Sequence, residues 1–142
     1  MPPILRNILA VIAGLVGGSA VNMAIVVIGP MVIPPPEGVD MSDMDRLAEN
    51  LKLLKPANFV PPLLAHALGT LVGASIAAKI AVSHRMTLAL VIGVFFLLGG
   101  ITMVKMVGGP GWFIATDLIV AYLPMGYLGG LLGGGMRNPQ SS

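Results

Sequence analysis

Four polar side chains interrupt otherwise apolar stretches of this chain: Asn22, His66, Lys105 and Asp117. In surroundings that apolar an ionisable group costs several kcal/mol unless it is paired, so each marks either chemistry or a satisfied contact. The chemistry open to the set is proton transfer or capture of a small ligand, because imidazole titrates near neutrality and an amide both donates and accepts. Lys105 precedes and Asp117 follows the turn Gly108-Gly109-Pro110-Gly111, which places both at similar depth on neighbouring antiparallel helices. That spacing predicts a Lys105–Asp117 ion pair in which each partner offsets the other's desolvation. His66 shares a helical face with Gly69, Thr70 and Gly73 and is expected to point inward, and Asn22 approaches the same level from the first apolar stretch. Two readings follow. The set is a salt bridge with interhelical hydrogen bonds that fix register, or it is an outer-half cluster that passes protons or holds a small ligand. No second acid continues a relay toward the opposite side, which weighs for the structural reading.

Other chemistries find less support. The chain has no Cys and ten Met, and Met31, Met41, Met44, Met103 and Met106 fall on the same side as His66. Thioethers are soft ligands able to hold Cu(I), yet methionine is also ordinary filler in apolar cores, and no metal or cofactor is assigned. Haem ligation by His66 would lack a second ligand other than a Met. Gly129-Gly130 and Gly133-Gly134-Gly135 lie in an apolar run with no Lys-Ser pair after them, so they make no phosphate loop. Ser19, Ser75 and Ser83 have no adjacent base with an orienting acid, and His66 and His84 sit toward opposite ends of one stretch. The expectation is a protein that is not an enzyme.

The elements that position these residues follow from composition. Of 142 residues 56% are apolar and 10% charged, with a mean hydropathy of +0.92. A water-soluble domain carries about a quarter charged residues, so this chain belongs in a bilayer. Eight Lys and Arg against six Asp and Glu, a net charge of +2, are too few for a nucleic-acid surface. A transmembrane helix needs about 20 apolar residues, and four stretches qualify: 8–33, 57–78, 86–104 and 112–136. The first is too long for the apolar core of a secretory signal and reads as an uncleaved span. Short turns at Ser83-His84-Arg85 and Gly108-Gly109-Pro110-Gly111 force antiparallel neighbours. The expected architecture is all-α, a single domain over 1–142: an antiparallel bundle of four transmembrane helices with one short amphipathic helix in the first outer loop, 34–56. In that loop Pro34-Pro35-Pro36 leaves the membrane stiffly, Ser42 is placed to cap a helix, and Pro56 stops it. Met44, Leu47, Leu51 and Leu54 share one face, suited to the membrane surface or to a lid over the bundle.

Small residues recur every fourth position: Gly14 and Gly18 on the first span, Ala65, Gly69, Gly73 and Ala77 on the second, Gly126, Gly130 and Gly134 on the fourth. In lipid such stripes let backbones approach closely enough to pack. On the fourth span Asp117 shares a face with Ala121, Pro124 and Leu128, while Gly126 and Gly130 lie opposite, and Pro124 is expected to kink the helix. Two special faces call for two neighbours, one of them another copy or another subunit.

With Pro34-Pro35-Pro36-Glu37-Gly38-Val39-Asp40 after the first span, Leu64-Ala65-His66-Ala67-Leu68-Gly69 opening the second and Ala77-Ala78-Lys79-Ile80-Ala81 leaving it, nearly the whole chain resembles small bacterial four-span membrane proteins of unknown function. The resemblance implies the topology and carries no reaction to any residue. Lys and Arg near the span ends tie between the two sides. The acidic 34–56 loop and the free amino terminus favour both termini in the cytoplasm, in a bacterial inner membrane. The expected function is that of an accessory or stabilising subunit packed against other membrane subunits of a larger energy-converting or transport complex. The chain has little mass outside the bilayer, and the fourth helix has a face to spare. The competing expectation is an oligomeric small transporter or channel built around the outer-half cluster. The partners expected are the lipid bilayer and either other membrane subunits or further copies of the chain.

Overall fold

A computed structural model describes residues 1–137, and all regular secondary structure among these is helical, without strands. Helix α1 spans Pro3–Val32, the loop helix α2 Leu47–Leu51, α3 Val60–Ile80, α4 Arg85–Val107, α5 Gly111–Val120 and α6 Leu123–Leu132. A 3₁₀ turn, Pro56–Phe59, leads into α3. Four helical stretches are long and apolar enough to cross a membrane: Pro3–Val32, Pro56–Ile80, Arg85–Val107 and Gly111–Leu132. The expected antiparallel four-helix bundle is therefore the fold, and it is that of a multi-pass membrane protein.

Helix α3 is the hub. In its most apolar window 44% of residues are buried, against 11% for α1. On one side α3 meets α1 backbone to backbone: a Cβ added to Gly14 or Gly18 would lie 2.6 Å from the carbonyl oxygen of Gly73 or Gly69, and one on Gly73 would lie 2.6 Å from that of Gly14. Only glycine permits that approach. On its other side α3 meets α6 through Gly129, which abuts the Leu71 carbonyl, and Gly133, which abuts Ala78. Helix α6 also packs on α4, where Gly126 faces Gly93 and Gly130 faces Met86 and Ala89. Ala74, Ala77, Ala78, Ala89 and Ile92, all fully buried, fill the core among α1, α3, α4 and α6. At the terminus end Asn7 ties α1 to the α3–α4 turn, donating to Ser83 Oγ at 2.8 Å and accepting from the Val82 amide at 3.1 Å.

Three expectations change. The fourth span is not one kinked helix but two, broken at Ala121–Tyr122 ahead of Pro124, which has no amide hydrogen to continue the ladder. The break resets the helical phase, so Gly126 and Gly130 pack on α4 and Gly129 and Gly133 on α3, both within the same chain. The glycine face is thus used within the chain, whereas Pro124 and Leu128 on the other face are exposed. Gly134 lies past the end of α6 at φ +85°, where its amide and those of Gly133 and Gly135 bond the last carbonyls of the helix. It caps α6 and is not part of the packing stripe. In the loop, Ser42 does not cap a helix. Its amide and hydroxyl both donate to Asp40 Oδ1, at 2.8 and 2.6 Å, in a turn that delays the helix to Leu47. The apolar face is nonetheless as expected, with Met44, Leu47, Leu51 and Leu54 all turned onto a cavity below the loop.

Candidate polar site beneath the loop

Asp117, 3% exposed, is the most deeply buried charged residue described. Its Oδ1 lies 2.7 Å from His66 Nδ1, the only contact between an acidic and a basic side chain among the described residues, and its Oδ2 accepts the Tyr122 hydroxyl at 3.0 Å. Three elements converge to build this group. His66 comes from the loop-end half of α3, Asp117 from α5, and Tyr122 from the break between α5 and α6, which turns its ring back toward Asp117. The rings of His66 and Tyr122 stack at a centroid distance of 5.8 Å. Gly100 on α4 makes room for the phenol, since a Cβ there would lie 2.5 Å from the Tyr122 hydroxyl oxygen.

The expected Lys105–Asp117 pair is not formed. Lys105 is exposed in the last turn of α4. There the terminal carbonyls of the helix favour a cation. Asp117 is instead turned in toward α3. Asn22 does belong with His66, because the two line one cavity of about 210 Å³ together with Thr70, Phe96, Gly100 and Tyr122. The Thr70 hydroxyl donates to the His66 carbonyl at 2.8 Å, satisfying itself within its own helix. Tyr122 and Gly100 were not singled out by sequence. The available signal was a tyrosine following a buried acid just before a helix-breaking proline.

A second cavity, of about 280 Å³, lies between the loop and the helix ends. Its walls are apolar and include Leu47, Leu51, Phe59, Val104 and Phe113, with His66 and Asp117 at its polar end. His66, Gly100 and Met103 border both cavities, so the two adjoin at the imidazole. Val26 on α1 and Met103 on α4, both exposed, lie on the rim between those two helices, and a Cβ on the neighbouring Gly99 would meet nothing within 4 Å. One mouth thus faces sideways, between α1 and α4, and the exposed Met44 and Gly108, which also line the larger cavity, leave another on the loop side. Met41, Met44 and Met103 share the larger cavity with His66, whereas Met31 and Met106 are 76% and 66% exposed.

No buried polar side-chain atom among the described residues lacks a hydrogen-bond partner. His66 Nε2 and the Asn22 amide, which bond to no other described group, are therefore reached from the cavities and not sealed in the core. The site can present an N–H or a lone pair at His66 Nε2 and both functions at Asn22, backed by a carboxylate that fixes the imidazole through its other nitrogen. No family model matches the chain, and no curated protein or solved structure matches it.

Proposed function

We propose that this chain is a non-enzymatic membrane protein that holds a small lipid-soluble molecule at its loop end, with the polar part of that molecule against His66 and Asn22. One observation carries the reading: the buried Asp117–His66–Tyr122 group opens onto two adjoining cavities. A purely structural pair is best served by close packing, which strengthens its electrostatics and leaves no void. Adjoining cavities that are mostly apolar with a few convergent polar groups are what ligand sites look like. The sideways mouth favours a molecule arriving from lipid. Below Thr70 the core is filled by alanines and Ile92, which favours holding over conduction through a single chain.

In this reading the loop end faces outward and both termini lie in the cytoplasm of a bacterial cell, in its inner membrane. Arg6 and Arg85 gather on the Ile80 and Ala81 carbonyls at the terminus end, while in the loop Glu37, Asp40, Asp43, Asp45 and Glu49 outnumber Arg46, Lys52 and Lys55; the Lys and Arg count itself ties, and the net negative loop supports this orientation. The test is native mass spectrometry of the protein released gently from its membrane. A bound small molecule at one per chain is expected, and it should be lost in Gly99→Leu, which narrows the sideways mouth at a position with open space around it. A wild-type protein that carries nothing and binds no lipophilic probe overturns the reading.

A second reading, an accessory subunit of a larger membrane complex, draws on α1. With 11% of its apolar window buried, that helix leaves a long surface for a partner, including Ile8, Ile12 and Val16. Co-migration with a large heterologous complex on a native gel is its expected signature, and migration as a free chain or homo-oligomer counts against it.

A further inference from the structure

The site's own proton inventory narrows the class of molecule it takes, and the argument rests on the ligand-holding reading above. Both oxygens of Asp117 are engaged, Oδ1 by His66 Nδ1 at 2.7 Å and Oδ2 by the Tyr122 hydroxyl at 3.0 Å. A ligand therefore meets the imidazole, whose side chain is 28% exposed, and not the 4% exposed carboxylate. Within an apolar span the pair is cheapest as a net-neutral unit. Such a unit has two forms, carboxylate with imidazolium and carboxylic acid with neutral imidazole, which differ by the position of one proton along the Nδ1–Oδ1 bond. In both forms Nε2 carries hydrogen. His66 thus offers the cavity a donor, and the Asn22 amide group offers further N–H donors across it.

The surroundings also set the charge of the guest. An anionic head would add an unbalanced negative charge, because Lys105 is exposed and in no ion pair among the described residues, and the Thr70 hydroxyl is spent on its own helix. A cationic head would face an N–H donor and would have to displace its proton. Both cost several kcal/mol at this depth. An uncharged oxygen acceptor costs nothing of the kind, and the adjoining cavity lined by Leu47, Leu51, Phe59 and Phe113 accepts an apolar body.

We infer that the occupant is a neutral amphiphile whose head presents a carbonyl oxygen to His66 Nε2 and Asn22. Such a carbonyl could belong to a quinone ring or to the ester of an acylglycerol. Trp112, the only tryptophan, reports on the site, because its ring packs edge-on against Phe59 at 5.6 Å and Phe59 lines the larger cavity.

The experiment titrates purified full-length protein in nanodiscs with four probes bearing the same ten-carbon chain: a benzoquinone, a monoacylglycerol, a carboxylate and a trimethylammonium. Binding is read by Trp112 fluorescence and by thermal shift. At least one carbonyl probe is expected to bind about tenfold or more tightly than either charged probe, and whichever leads identifies the source of the carbonyl. His66→Phe should weaken that probe by about tenfold, the worth of one hydrogen bond in a dry site. His66→Gln, which restores an N–H, should recover part of the loss, and Asn22→Leu supplies an independent variant should the His66 substitutions unfold the protein. Preference for the carboxylate or the ammonium overturns this inference while leaving a ligand site standing, as does a carbonyl probe indifferent to both His66→Phe and Asn22→Leu. Failure of all four probes to bind overturns the ligand-holding reading itself.

Discussion

At the scale of single residues, the group around Asp117 makes a sharp energetic prediction. Removing one partner of a buried ion pair strands the other, and such truncations cost about 3–5 kcal/mol. Asp117→Ala, which leaves both His66 Nδ1 and the Tyr122 hydroxyl without their acceptor, should fall in that range. Tyr122→Phe removes a single hydrogen bond to the carboxyl group and should cost about 1.5–3 kcal/mol. Lys105→Gln should change stability by no more than about 0.5 kcal/mol, because the ammonium is exposed and unpaired among the described residues. Equilibrium unfolding in mixed micelles measures all three, and a Lys105 variant as damaging as Asp117→Ala would contradict the arrangement. Of this site, Asn22, His66 and Asp117 were legible in sequence because polar groups stand out in apolar runs. Lys105 misled for a physical reason: depth along a helix does not say where a long side chain ends. Tyr122 was hidden because its role depends on a break in the helix that periodicity alone does not contain.

At the scale of elements, helix contacts here are contacts of glycine with backbone. Gly73→Ala and Gly18→Ala would each drive a methyl to 2.6 Å from a carbonyl oxygen across the α1–α3 interface, and overpacking of that kind costs about 1–3 kcal/mol. Gly99→Ala meets nothing and should be neutral or stabilising by up to about 1 kcal/mol through helix propensity alone. The same micelle titration separates the two classes. The loop supplies a pH-dependent counterpart. Hydrogen bonds from the Ser42 hydroxyl and amide hold the Asp40 carboxyl below the usual carboxylate range, and Asn50 donates to the Asp40 carbonyl oxygen at 2.7 Å, tying α2 to this turn. A lowered value means that the turn is favoured at and above the ordinary carboxylate range and loosens as pH falls through the lowered one. Protection of the loop amides, taken relative to their intrinsic exchange rates, should therefore fall below about pH 4, and Ser42→Ala should shift the onset upward. The effect stays local, because Asp40 is fully exposed. Sequence displayed the stripes of Gly14, Gly18, Gly69 and Gly73 but not their partners, and it extended the fourth stripe to Gly134, where the helix has already ended.

At the scale of the whole molecule, what sequence conveys and what it withholds have one cause. Spans that are apolar all round state plainly that they lie in lipid, yet they carry no amphipathic stripe to say which side faces a neighbour. Crossing number was therefore legible, while the central place of α3 and the cavities beneath the loop were not. The crossings themselves follow from backbone chemistry, since each amide at bilayer depth must be paired within its own helix. Four crossings put the loop around α2 and the turn between α4 and α5 on one side, and the start of α1 and the turn between α3 and α4 on the other. The absence of cysteine makes this testable with single substitutions at exposed positions: Ala48→Cys and Gly111→Cys on the loop side, Pro2→Cys and Thr87→Cys on the terminus side. With an impermeant maleimide on intact bacterial cells, Ala48→Cys and Gly111→Cys should label directly, and Pro2→Cys and Thr87→Cys only after permeabilisation. The reverse pattern would keep four crossings and invert the orientation, moving the sideways mouth to the inner leaflet. Labelling of Ala48→Cys and Pro2→Cys from the same side would mean that α1 does not cross. The α1 wall of the cavities, with Asn22 and Val26, would then have no place beside lipid, and the site would lose the sideways route by which a lipid-soluble molecule reaches it.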